Sequence, residues 1–302
     1  MATLTRRRFI AISAAAAGLA ALPAHADLFA WRGVALGAAA SIHLAHPDAA
    51  AITARAVAEM ARLEAIFSLY RADSALARLN ESGELLAPPF ELLECLALCG
   101  RVHAATAGRF DPTVQPLWAL HARRYSEGTQ PGAAEIAAAR ALVGWPDVSL
   151  ASDAVRLRPG MALTLNGVAQ GFVADRVADL LAAEGLTDIL IDTGELRALG
   201  GMPAGGGWPV TLTTGGRLAL SGRALATSAT LGTVFDQAGR VGHILEPHSG
   251  LPAPNPWRQV SVSAPTAAVA DALSTAACLM PDRATIEAAL QGFDGARIEG
   301  LV

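Results

Sequence analysis

The sequence predicts an α+β fold in a single domain, on three observations. Helical patterns crowd the first half of the chain, while short β-like runs fill the second half with few crossovers between them. The length of 302 residues, at 52 % hydrophobic and 17 % charged, suits one large domain or two small ones. The one Gly-rich stretch, GMPAGGGWP at 201–209, reads as a surface turn rather than a linker, so no domain boundary divides the chain.

Residues 1–26 stand apart from that fold. They join a basic start, an apolar run from Phe9 to Leu22 and a small-residue cleavage site at Ala24-His25-Ala26, the pattern of an export signal. The segment Thr5-Arg6-Arg7-Arg8-Phe9-Ile10 resembles a bacterial twin-arginine signal; an ordinary secretory signal and an uncleaved anchor are the other readings. The apolar run is short for a membrane span, and no later segment reaches spanning length without charges or turn residues. The expected mature product is residues 27–302, periplasmic and not itself membrane-spanning.

The elements follow in order. Val34 to His46 reads as a strand pair or one long strand, and Pro47-Asp48 opens a helical pattern through Ala65. Further helices are expected over Phe90–Ala105 and Ala133–Leu142. From Val148 the rhythm shortens to VRLRP, ALTLN, ILIDTG, LRALG, WPVTLTT, RLALS, ALATS, GHILEP and WRQVSVSAP, all read as strands. One helix, Val168–Ala183, interrupts them; PTAAVADALSTAACLM and Arg283–Leu290 close the chain as helices.

Composition excludes several functions. Loss of residues 1–26 removes three arginines and moves the formal charge from −4 to −7, with no basic tract, so nucleic-acid binding has little electrostatic support. Every one of the 23 cationic residues is arginine, which excludes lysine Schiff-base chemistry and a lysine phosphate clamp. Cys95, Cys99 and Cys278 are an odd set; the first two lie one turn apart on a helix, poor disulfide geometry, and read as buried apolar thiols.

Five stretches have chemical potential, each with a plain structural reading beside it. LNGVAQG, Leu165 to Gly171, is a glycine turn entering a helix, where free N–H groups favour an anion; equally, Gly167 and Gly171 serve close packing. It fits neither the dinucleotide fingerprint nor the P-loop. Asp271 and Thr275 share a face of an apolar helix with Ser274 beside them. That oxygen-rich set suits Mg²⁺, or is a hydrogen-bonded Asp near a helix start. Arg109 to Val114 is a loop with a turn-like Asp-Pro-Thr; His243 is a general base, a ligand or a structural histidine; Tyr70 stacks on an aromatic ligand or is half-buried.

In this order the stretches resemble the ApbE family of FAD:protein FMN transferases. The resemblance rests on Leu36-Gly37, on Ser68-Leu69-Tyr70 through Ser74 closing on Asn80, and on Phe110-Asp111-Pro112-Thr113-Val114. It continues through the turn and Asp-Arg-Val from Gly167 to Val177, then Ala226-Thr227-Ser228, His243 to Gly250, Ala264-Pro265-Thr266 and Ala270 to Ala276. It implies a mixed, largely antiparallel sheet with flanking helices over 27–302. Asp271, Thr275, Ser274 and a backbone carbonyl near Gly167 are the implied Mg²⁺ ligands. Flavin and adenine contacts fall on Leu36, Tyr70, Arg109, Phe110, Asp111, Thr164, Gln170 and Ile244, and His243 is the implied base, acting with Asp271 in catalysis.

The implied reaction transfers FMN from FAD to a threonine or serine hydroxyl of an acceptor flavoprotein with an FMN-binding domain, expected to be membrane-associated, and releases AMP. FAD hydrolysis to FMN and AMP, and a non-catalytic FAD-delivery protein, are the alternatives. The chain departs from the family at Thr164 and Gln170, where Asp and Lys are common, at Glu246, usually Asp, and at Ala229, usually Gly. The Asn166-Gly167-x-Ala169-Gln170-Gly171 form, with Gly194 to Gly200, is similar to the branch associated with nitrous-oxide reductase maturation.

Overall fold

The computed structural model describes residues 18–19, 28–213, 215–253 and 257–302. The export signal expected at 1–26 lies outside the described residues apart from Gly18 and Leu19. Its strands are β1 (Gly18–Leu19), β2 (Phe29–Ala35), β3 (Ala38–Leu44), β4 (Glu84–Leu86), β5 (Ser149–Leu150), β6 (Ala154–Arg156), β7 (Ile189–Asp192), β8 (Leu196–Leu199), β9 (Trp208–Thr211), β10 (Arg217–Leu220), β11 (Ala224–Ala229), β12 (Gln259–Ala264) and β13 (Arg297–Leu301). The helices are α1 (Ala49–Phe67), α2 (Ala75–Ser82), α3 (Phe90–Ala105), α4 (Gln115–Ser126), α5 (Ala133–Arg140), α6 (Ala169–Ala183), α7 (Ala267–Ala277) and α8 (Arg283–Leu290).

Seven strands form the central sheet in the order β13-β12-β11-β8-β7-β3-β2, and every pairing in it is antiparallel. The α+β prediction therefore holds. The central strands of the sheet are buried on both faces. Along β7, Ile189 and Ile191 enter the main core while Leu190 enters a second one; along β11, Ala224 and Ala226 oppose Leu225 in the same way. The main core lies beneath α1, α3, α6 and α7. The second core gathers Trp208, Val210 and Leu220 from the small sheet β1-β9-β10.

Local chemistry explains most elements. The expected strand pair at 34–46 is the hairpin β2–β3, whose two-residue turn Leu36-Gly37 has φ of 49° and 79°, matching strand twist but placing a leucine in the left-handed region. On α1 the buried residues Ile52, Ala56, Met60, Leu63 and Phe67 recur at helical spacing. All three cysteines are free and buried, as expected.

The structure adds two helices that periodicity does not predict. The eight-residue α2 begins where Ser74 Oγ accepts from Ala77 N–H and ends at Gly83 in the left-handed region; α4 starts with a proline in its first turn. It also removes two expected strands. ALTLN is buried at Leu163 and Leu165, yet its backbone pairs with the Asn80 amide and with Pro112 O rather than a strand. GHILEP makes only isolated bridges, Val234 to Gly242 and Leu245 to Pro252.

Candidate active site

Seven segments meet around one cleft of ≈ 1050 Å³, open mouth included. They are the loop after α3, α4 through Trp118, the turn before α6, Gly194-Glu195, the end of β11, the segment from His243 to Pro247, and one face of α7. Arginine is the cleft's one cationic residue type, through Arg109, whose Nε donates to Leu279 O at 3.3 Å.

The α7 face brings Asp271 and Thr275 to the cleft floor, one turn apart. Gly167 presses on this face: a Cβ there lies 3.0 Å from Thr275 Oγ1. Gly171 N–H donates to Asp271 Oδ2 at 3.2 Å. A Cβ at Gly171 falls 2.3 Å from Ala267 O, so both glycines of the turn serve close approach of α6 to α7. Ser274 sits behind the floor rather than on it. Its hydroxyl donates to Asp271 O at 3.0 Å and pairs with Ser228 Oγ at 2.7 Å, which lies 3.1 Å from Thr275 Oγ1.

Burial pushes the Asp271 carboxyl up to about 7, against the Gly171 hydrogen bond; the charge acting on it is another carboxylate, Asp175. Glu195, also buried and lining the cleft, is held well above the usual range by burial and then by Asp271. Its Oε2 accepts from Thr227 N–H at 3.2 Å. Two buried acids, hydroxyls and a close-packed backbone turn form a set of oxygen donors that no cationic side chain among the described residues neutralises, which fits a hard divalent cation.

Asp175 does different work. Its two oxygens accept from Ala267 and Ala268 N–H at 2.8 Å each, capping α7 from α6, with Arg197 Nε 3.1 Å away. Thr266, the residue at the cap position of α7, makes no side-chain cap.

His243 is half-buried on the cleft wall. Its Nδ1 and its backbone N both lie on Thr233 O, at 3.0 and 3.1 Å, so Nδ1 carries the proton and Nε2 keeps its lone pair. Burial lowers its pKa from 6.5, which favours the neutral ring.

The implied flavin contacts Arg109, Phe110, Asp111, Thr164, Gln170 and Ile244 all line this cleft. Leu36 and Tyr70 line a smaller cavity that shares Asn166 and Gln170 with it. Asp111 is occupied in shaping its own loop: Oδ1 accepts from Thr113 N–H and Oγ1 at 2.8 and 2.6 Å, and Oδ2 from Trp145 N–H at 3.2 Å. Ser68 Oγ likewise accepts from Tyr70 and Arg71 N–H, bracing the Tyr70 loop. Sequence reasoning missed Glu195, Asn166 and Ser228 as cleft residues. Asn166 bonds the Tyr70 hydroxyl, and only its place inside the glycine turn hinted at a role.

The ApbE family model matches residues 36–296. The chain belongs to the ApbE family. Among its relatives is a Haemophilus influenzae FAD:protein FMN transferase, 28 % identical over 276 residues that cover 82 % of this chain and 80 % of the relative. A Klebsiella pneumoniae FAD:protein FMN transferase is 27 % identical over 257 residues, 78 % of this chain and 73 % of the other. The apo crystal structure of Pseudomonas stutzeri flavinyl transferase ApbE superposes with a TM-score of 0.76 at 28 % identity, covering 87 % of each chain. The cleft described above lies within the residues the family model spans.

Proposed function

We propose that this chain is an exported, Mg²⁺-dependent transferase that moves FMN from FAD to a threonine or serine hydroxyl of an acceptor flavoprotein, releasing AMP. Membership of the family and the names of its relatives support the reaction class. The observation that carries the metal dependence is Asp271, a buried carboxylate beside Glu195 and Thr275 that no cationic side chain among the described residues offsets.

In this reading Asp271, Thr275 and the backbone at Gly167 hold Mg²⁺, with Ser274 supporting Thr275 through Ser228. The cation, when bound, supplies charge neutralisation for the diphosphate of FAD. His243 Nε2 accepts the proton of the acceptor hydroxyl, whose oxygen forms a bond to the FMN-side phosphorus while the bond to AMP breaks. Thr233 O holds the opposite ring nitrogen, so the base is presented in one tautomer. Leu36, Tyr70, Phe110, Thr164, Gln170 and Ile244 form the flavin and adenine surface, and Arg109 adds the positive charge a lysine gives elsewhere in the family. Asp111 acts by shaping the loop. Gln170 in place of lysine makes the turn contribute hydrogen bonds rather than charge.

The Arg6-Arg7 signal supports export to the periplasm by the twin-arginine route, and the form of the 166–171 turn supports the nitrous-oxide reductase maturation branch, with a membrane-associated acceptor. The test is incubation with FAD, Mg²⁺ and a candidate FMN-binding domain. Flavin that stays on the acceptor through denaturation is expected, with one AMP per flavin. AMP without acceptor flavinylation identifies a pyrophosphatase, and FAD binding without AMP identifies a delivery protein; either outcome overturns the proposal.

A further inference from the structure

The hairpin that precedes His243 packs against α4 through a set of aromatic rings. Val234 bridges to Gly242, Phe235 N–H donates to Val241 O at 2.8 Å, and Asp236 Oδ1 accepts from Arg240 and Val241 N–H at 2.8 Å each. The hairpin is therefore internally closed; Thr230 at its base donates its N–H to Arg258 O at 3.0 Å, and Phe235 makes its aromatic contacts with α4. Phe235 meets three rings of one α4 face: Trp118 edge-on at 5.5 Å, His121 at 5.5 Å and 25°, and Tyr125 at 6.1 Å and 13°. The same helix grips the other side of the His243 segment, because His121 Nε2 bonds Gly250 O at 2.9 Å.

Two residues before Phe235, the carbonyl of Thr233 takes both His243 Nδ1 and its backbone N–H. We infer that Phe235 is a positioning residue: stacked on Trp118, His121 and Tyr125, it holds the Thr233 carbonyl where it keeps the His243 proton on Nδ1 and the Nε2 lone pair toward the cleft. Without the stack the carbonyl is no longer held, the ring samples both tautomers, and a ring protonated on Nε2 cannot accept a proton there. The inference rests on His243 being the base for the acceptor hydroxyl.

The test follows ¹⁵N-histidine NMR spectra of the full chain, with the His243 signal assigned by its loss in His243→Gln. Wild type is expected to show the Nδ1-protonated pattern, and Phe235→Ala a mixture of tautomers. Transfer kcat is expected to fall by about 10-fold or more, with KM for FAD changed by less than about twofold and Phe235→Tyr restoring both readouts. Tyr125→Leu, which trims one ring of the stack, gives the same test if Phe235→Ala does not fold. An unchanged tautomer pattern, or equal losses in FAD binding and turnover, overturns the inference. If His243→Gln transfers FMN at the wild-type rate, the base assignment fails, and the tautomer spectra still decide whether Phe235 positions the ring.

Discussion

Ionising a carboxylate inside an alanine-rich helix is unfavourable, and burial pushes the Asp271 carboxyl up from 3.8 to about 7. Between those values the folded chain keeps a proton that the unfolded chain releases. Stability of the metal-free protein therefore falls as pH rises from about 4 to about 7, and stays lower above that. Asp175, lifted to about 6, acts in the same direction. Melting temperatures measured across this range, with and without Mg²⁺, are expected to show that slope in the metal-free protein and a Mg²⁺-induced gain that grows with pH. Asp271→Asn removes the gain and flattens the slope. His243→Gln is expected to lower transfer kcat by about 10²–10⁴ with FAD affinity retained, read by turnover and by flavin titration. At this scale Asp271 and Thr275 were legible, because a four-residue interval in an apolar helix fixes a shared face. Glu195 was not: it lies in the β7–β8 connection directly after Gly194, where an acid reads as an ordinary turn residue until the fold brings it beside Asp271.

At the scale of elements, α7 depends on a partner for its start. Thr266 makes no side-chain cap, and the carboxylate of Asp175 on α6 receives the first two N–H groups instead. This arrangement fixes the pair of helices whose contact bears the Asp271 face. Asp175→Ala leaves those donors and Arg197 without their acceptor, and is expected to lower unfolding free energy by about 3 kcal/mol in chemical denaturation. Gly171→Ala forces a methyl against Ala267 O and is expected to cost about 1–3 kcal/mol in the same measurement. The sequence pattern identified α3 and α8 to the residue, because each has a full apolar stripe and a clear stop. It missed α2, whose eight residues carry a serine cap and a terminal glycine but few apolar positions. It overread ALTLN, where alternation reports burial alone. Strand formation also needs a neighbouring edge, and Asn80 takes that place.

For the whole molecule, α+β was legible because helices and strands are segregated along the chain, whereas the second core was not. It depends on side chains of β9 and β10 packing against those of β7, β8 and β11, a long-range contact that no local pattern records. Among the described residues no helix is long and apolar enough to cross a membrane. Export is tested on the full-length chain: replacing both Arg6 and Arg7 by lysine is expected to leave the protein in the cytoplasmic fraction, read by immunoblot of fractionated cells. The chain has no lysine, and its three thiols are sealed inside, with burial pushing Cys278 up to about 12, and the neighbouring Cys99 thiol and then burial holding Cys95 well above the usual thiol range. Native side chains thus offer little to amine- or thiol-directed labels. A single cysteine introduced at Leu251, which is 49 % exposed on the turn after His243, becomes the chain's one addressable position. A crosslinker placed there would tether an acceptor as it docks, and the tethered species would identify it directly.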